Sequence, residues 1–153
     1  MKCIVVVDKR WGIGKNNDLL FNLKEDMAFF KKMTVGKTIV VGSNTLRSFP
    51  NGKPLPSRKN VVLSKKLEKC SDYIVVRNVE ELLKYDGDDT IVCGGSRVYA
   101  LLLPYCDTAY VTKVDADGEA THFFPNLDED PSWKLAEVTP GDTATFCKYE
   151  RIK

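Results

Sequence analysis

Short runs of β-branched residues, apolar on both alternating faces, recur along this chain at 3–7 (CIVVV), 38–42 (TIVVG), 60–64 (NVVLS), 73–76 (YIVV) and 90–93 (TIVC). Such runs suit strands covered on two sides, as in parallel sheets, where each strand must be followed by a crossover. Helical patterns lie between several of them, at 23–33, 44–49, 79–85 and 97–103. The alternation predicts an α/β fold with right-handed crossovers. After Pro104 the pattern changes: 109–115, 133–138 and 145–151 read as successive strands with no helix between them. The expectation is a single domain over residues 1–153. Its central sheet is mostly parallel, with about eight strands, an antiparallel C-terminal edge and about four flanking helices.

Composition narrows the function. With 43% hydrophobic and 29% charged residues and a formal net charge of +2, nothing pulls the chain toward nucleic acid or membrane. No run approaches the length of a membrane span, and the opening apolar stretch is too short for a signal peptide, so it reads as a first strand. Five cysteines, an odd number with no CxxC pair, suggest small thiols in a reducing cytoplasm. The only histidine is His122. That argues against multi-histidine metal sites and a Ser-His-Asp hydrolase, and no metal is expected. Catalysis must rely on carboxylate, hydroxyl, backbone and a borrowed cofactor.

The acidic group best placed for such work is Asp26. It sits in the first turns of an amphipathic helix whose apolar stripe is Leu23, Met27, Phe30 and Met33, with Asn22 as N-cap and Glu25 in the place of a capping-box acid. Asp26 falls at the edge of that stripe. A carboxylate facing a cavity there would have a raised proton affinity and could bond a polar heterocycle edge; on a solvated surface it would serve only the helix dipole.

Two segments lack an expected element. Residues 9–21 follow the first strand directly and contain Gly12 and Gly14, which suits a lid at the carboxyl end of a strand. Residues 50–59 form a proline-stiffened loop ending near Arg58, a candidate carboxylate clamp. Two strand-to-helix turns, at Gly42-Ser43-Asn44-Thr45 and Gly94-Gly95-Ser96, offer backbone N–H groups at helix starts, where phosphate oxygens can bind. Neither a Walker lysine nor GxGxxG accompanies them. They hint at a dinucleotide held outside the standard Rossmann arrangement.

Collinear with these are Gly12-Ile13-Gly14-Lys15, Asn22-Leu23 before the acidic helix, Asp26, Phe30, Gly42 to Thr45, Pro54-Leu55-Pro56 with Arg58, residues 60–64, Gly94-Gly95 with Arg97 to Tyr99, and Thr112. In this order the chain resembles the dihydrofolate reductases over nearly its whole length. The resemblance implies reduction of 7,8-dihydrofolate to 5,6,7,8-tetrahydrofolate by hydride transfer from NADPH. It implies that Asp26 orients the pterin and promotes its protonation, with Thr112 bonded to the carboxylate. Ile4, Val6, Phe30 and Leu55 would wall the pocket, Cys93 and Tyr99 would also border substrate, and Arg58 would clamp the glutamate carboxylate with help from Lys31 and Lys53. The stretch Gly12, Ile13, Gly14, Lys15, Asn16, Asn17 and Asp18 would close over nicotinamide beside Val6. Gly94, Gly95, Ser96, Arg97, Val98, Tyr99, Ala100 and Leu101, with Asn44 and Thr45, would cradle the pyrophosphate. Ser64, Lys65 and Arg77 would approach the 2′-phosphate. A cytoplasmic monomer open to antifolate inhibitors is implied, with neither nucleic acid nor membrane as partner.

Three departures from the family pattern stand out. Leu19-Leu20-Phe21 replaces the usual Leu-Pro-Trp, Ser43 stands where a cation often meets the 2′-phosphate, and Ala120 or Thr121 takes the place of a loop-locking Asp. Two alternatives stay open: a same-fold pyrimidine reductase of riboflavin synthesis, and a non-catalytic nucleotide-binding protein.

Overall fold

The computed structural model describes residues 1–15 and 18–152. In chain order the strands are β1 (Lys2–Val7), β2 (Gly12–Lys15), β3 (Asp18–Leu19), β4 (Thr38–Gly42), β5 (Lys59–Leu63), β6 (Ile74–Val76), β7 (Thr90–Gly94), β8 (Thr108–Lys113), β9 (His122–Phe123), β10 (Trp133–Pro140) and β11 (Thr145–Arg151). The helices are α1 (Lys24–Thr34), α2 (Ser43–Ser48), α3 (Val79–Leu83) and α4 (Ser96–Leu102). An eight-stranded sheet runs β10-β11-β8-β1-β7-β4-β5-β6. Pairs from β8 through β6 are parallel, while β11 pairs antiparallel with both β8 and β10. The expected α/β sheet with an antiparallel edge is what forms.

The central strands read apolar on both faces because both faces are covered. Ile39, Val40, Val41, Val61, Val62 and Val92 have no measurable solvent exposure. β7 enters the sheet between β1 and β4. The chain therefore leaves three neighbouring parallel strands on one side: into the Lys9–Phe21 segment after β1, into α2 after β4, and into α4 after β7. This is where ligands settle in open α/β sheets.

Three local expectations are corrected. Residues 9–21 are not simply loop, because β2, β3 and β9 make a small antiparallel sheet of their own. Asn22 does not cap α1. Leu23 holds the N-cap position without a side-chain bond, and the Glu25 carboxylate takes its donors from Asp142 and Thr143. Met27 is 57% exposed; the sheet side of α1 is carried by Phe29, whose ring meets Phe146 at 4.8 Å and Tyr110 at 6.3 Å.

Candidate active site

Asp26 lies in the first turn of α1, and Thr112 lies near the end of β8 with no solvent exposure. The Thr112 hydroxyl donates to Asp26 Oδ1 at 2.8 Å. Burial pushes the Asp26 carboxyl above its ordinary value and the Thr112 bond pulls it back only in part. Desolvation disfavours the charged form. The helix-edge carboxylate is therefore a desolvated acid with one defined partner, not a dipole partner on a wet surface.

Arg58 follows the proline loop, and its carbonyl accepts from Asn60 Nδ2 at 3.0 Å. The buried Asn60 side chain also closes a reciprocal pair with the Leu55 backbone, at 3.1 and 2.9 Å, so one amide shapes the whole 55–60 turn. The Arg58 guanidinium stands 5.9 Å from the Phe30 ring centroid. Burial lowers its proton affinity, and its Nε is the buried side-chain nitrogen without a partner among the described residues. A buried cationic donor with an open bond fits an anionic ligand. Cys93, on β7, is close enough to Arg58 to interact electrostatically, while burial pushes its thiol up.

Tyr99 ties two of these elements together, donating to the Ile4 carbonyl at 2.6 Å from a buried hydroxyl. Ile4 is buried on β1, Val6 and Phe30 are half-buried, and Leu55 is half-buried in the loop. Lys31 and Lys53 are exposed.

The glycine turn after β7 is crowded by α2. Gly94 has φ +131°, a conformation L side chains rarely adopt, and a Cβ on it would stand 3.2 Å from Thr45 Oγ1. A Cβ on Gly95 would stand 3.4 Å from the same oxygen. Gly94 is thus held to glycine by its backbone and by Thr45, whereas a Cβ on Gly95 would make an ordinary contact; Thr45, of α2, faces the turn. Ser96, Val98 and Tyr99 begin α4 against this turn; Arg97, Ala100 and Leu101 lie on its exposed side. Ser96 Oγ comes within 3.5 Å of His122 Nδ1, a neighbour no motif signalled.

After β5, Ser64 Oγ accepts from the Lys66 and Leu67 backbone at 3.3 and 3.1 Å. Arg77 Nη1 donates to the carbonyls of Ser64 and Leu67, at 3.1 and 2.5 Å. Part of the Arg77 guanidinium is therefore engaged in holding the loop, while Lys65 is exposed and free to reach outward.

The residue the sequence reading passed over is Asp8. It is 2% exposed at the end of β1. Its Oδ1 accepts from the Arg10 and Gly12 backbone at 2.9 and 2.7 Å and its Oδ2 from Gly118 at 3.0 Å. Burial would raise this carboxyl, but those three N–H donors more than offset it and leave it below its ordinary value. Between Asp8 and Gly12 the chain turns tightly through Trp11 at φ 63°. A carboxylate directly after an apolar strand and four residues before a glycine was the available signal. Gly12, Ile13 and Gly14 are buried in β2, and Lys15 pairs with Glu119 at 3.4 Å. Asn16 and Asn17 lie outside the described residues, and for Asp18 only the backbone is described. Where the family's loop-locking Asp is replaced, Thr121 N–H bonds the Gly14 carbonyl at 2.8 Å, so that backbone contact joins the two segments.

Comparison with known proteins agrees with this geometry. The family profile for dihydrofolate reductase matches residues 1–151. The dihydrofolate reductase of Bacillus subtilis (strain 168) is 36% identical over 144 residues, covering 90% of this chain and 82% of the relative. That of Staphylococcus haemolyticus is 33% identical over 160 residues, covering 98% and 95%. A solved structure of dihydrofolate reductase from Enterococcus faecalis, complexed with NADP(H) and RAB-propyl, superposes with TM-score 0.89 at 30% identity, covering 99% of this chain and 96% of the other. A family match along nearly the full length, with this sheet order, a desolvated acid in the first turn of α1, a half-buried cation after the proline loop and a glycine turn before α4, places the chain in the dihydrofolate reductase family.

Proposed function

We propose that this protein reduces 7,8-dihydrofolate to 5,6,7,8-tetrahydrofolate, with NADPH as cofactor and Asp26 as the acid of the site. The observation that carries the reading is the Asp26–Thr112 pair: one half-buried carboxylate, raised in proton affinity, held by a neutral hydroxyl. The residues fit the two ligands. The turn at Gly94 is space that a Cβ would fill against Thr45, and Arg58 Nε is a buried donor with its bond unmade.

NADPH, when bound, supplies the hydride. The chain supplies everything else. Asp26 takes the 2-amino and ring N–H edge of the pterin as a paired acceptor, which fixes the ring's orientation. Its raised proton affinity favours protonation of the pterin as hydride arrives, without a histidine. Thr112 holds the carboxylate in one rotamer. Phe30, Leu55, Ile4 and Val6 provide apolar walls that exclude water, and Arg58 meets the glutamate carboxylate. The β2–β3 lid, anchored at Asp8, covers the nicotinamide side. Unpaired cysteines suit a cytoplasmic setting.

The test is the dihydrofolate-dependent oxidation of NADPH by purified protein, with the pyrimidine substrate of riboflavin synthesis as control. Turnover of dihydrofolate alone is the expected result. Turnover of the pyrimidine alone, or of neither, would overturn the reading.

A further inference from the structure

Glu25 accepts three hydrogen bonds from the turn between β10 and β11. The Asp142 N–H reaches Oε2 at 2.8 Å, and the Thr143 N–H and hydroxyl both reach Oε1 at 3.1 Å. The turn is closed on itself by Gly141 N–H to the Ala144 carbonyl at 2.8 Å. Gly141 is confined there: a Cβ would stand 2.5 Å from Glu25 Oε1 and 2.7 Å from the Ala144 carbonyl oxygen. β11 begins at the next residue. Its Phe146 is the strand partner of Thr112 on β8, and the Phe146 ring packs on Phe29 of α1. Thr112 in turn donates to Asp26, the residue beside Glu25. The contacts close into a ring: Glu25, the hairpin turn, Phe146, Thr112, Asp26.

We infer that Glu25 is a positioning residue for the reaction: by clasping the β10–β11 turn it fixes the first turn of α1 against β11 and β8, and so holds the Asp26 carboxylate on Thr112. The inference rests on the dihydrofolate reading, since it assigns no chemistry to Glu25 itself, whose carboxylate is directed at the hairpin. Its three donors keep the Glu25 carboxyl below its ordinary value, whereas burial raises that of Asp26. The charged neighbours of Glu25 along the chain are Lys24 and Asp26 on the helix, and the turn it clasps carries Asp142.

Two substitutions break the clasp from opposite sides: Glu25→Ala removes the acceptor, and Gly141→Ala crowds it from the turn while leaving the sequence of α1 unchanged. Each is expected to slow hydride transfer about tenfold, the scale of a small misplacement of a reacting group, while leaving the NADPH dissociation constant unchanged. Each should also move the Asp26 titration, followed by carboxyl-carbon NMR, down toward an ordinary carboxylate. Burial is the larger influence on that group, and a loosened helix admits water. Glu25→Gln keeps one acceptor oxygen and should restore part of both effects. Variants that lose thermal stability yet keep the wild-type rate and Asp26 titration would overturn the inference. The titration needs no substrate, so it tests the clasp even if the wild type fails to reduce dihydrofolate, a result that would overturn the functional reading alone.

Discussion

Thr112 gives its hydroxyl hydrogen to Asp26 Oδ1 across 2.8 Å, although 86 positions separate the two residues. A neutral donor lowers a buried carboxylate's pKa less than a cation would. Asp26 therefore keeps a raised proton affinity while its direction is fixed. The first consequences concern Asp26 itself.

Asp26→Asn should lose most turnover near neutral pH while keeping the fold and most cofactor affinity. The amide preserves an acceptor for Thr112 but cannot change protonation with the pterin. Turnover should partly return in acid, where substrate arrives protonated. The pH profile of hydride transfer checks this; near-wild-type activity at neutral pH would remove Asp26 from the chemistry.

The same substitution should raise the thermal midpoint at neutral pH. Folding lifts the Asp26 pKa above the value of the unfolded chain. Between those two values the folded state binds more protons, so the group's contribution to stability falls as pH rises through the window. Above it the wild type carries the full cost of a desolvated carboxylate, and Asn does not. Calorimetry at pH 7 and pH 4 should show the gain at the higher pH and its loss at the lower.

Arg58→Leu should weaken dihydrofolate and scarcely change NADPH. Leaving a ligand carboxylate without its charged partner costs about 2 kcal/mol or more. A pterin lacking the glutamate tail is the control, and mutant and wild type should bind it alike. Equal damage to that short ligand would make Arg58 a packing residue beside Phe30.

Asp8→Ala should lower stability by about 2 kcal/mol, since it leaves the buried Gly12 donor and the half-buried donors at Arg10 and Gly118 without their acceptor. Its folded pKa is depressed, so this stabilisation is present above the unfolded carboxylate value and is lost as pH falls through the folded one. Faster amide exchange at Gly12 and Gly118 would localise the damage to the base of the lid; an unchanged melting midpoint would contradict it.

What could be read in advance divides by range. The parallel strands announced themselves because both faces of Val40 and Val61 are covered, so no polar residue interrupts the run. Glu25 shows the opposite case. A capping-box spacing is local and suggested a local partner, but the carboxylate is claimed by Asp142 and Thr143 from more than 100 positions away. Met27 was misplaced for a related reason: helical period alone cannot say which of two adjacent apolar stripes meets the sheet, and Phe29 won that contact through Phe146. In the site, residue types that carry unusual chemistry were legible, namely Asp26, Arg58 and the Gly94-Gly95 turn. Asp8 and Asn60, which only organise backbone, were not.

Arg77 carries a duty its position in the sequence did not announce, bracing the loop at Ser64 and Leu67, and it shapes the last prediction. With Ser43 neutral at the start of α2, the cations proposed to meet the adenosine 2′-phosphate are Lys65, which is exposed, and Arg77, which already donates to the Ser64 and Leu67 carbonyls. Lys65→Ala should therefore weaken NADPH and leave NADH unaffected, because NADH has no 2′-phosphate. Arg77→Ala should weaken both cofactors and lower the melting midpoint, since the loop carrying Ser64 loses its brace. Ser43→Arg should strengthen NADPH selectively, by about 1 to 2 kcal/mol for a charge-assisted, partly exposed bond. The gain should shrink as salt rises, as screening of an exposed pair requires. Dissociation constants for the two cofactors at low and high ionic strength decide the matter. If Lys65→Ala harms NADH as much as NADPH, the phosphate lies elsewhere.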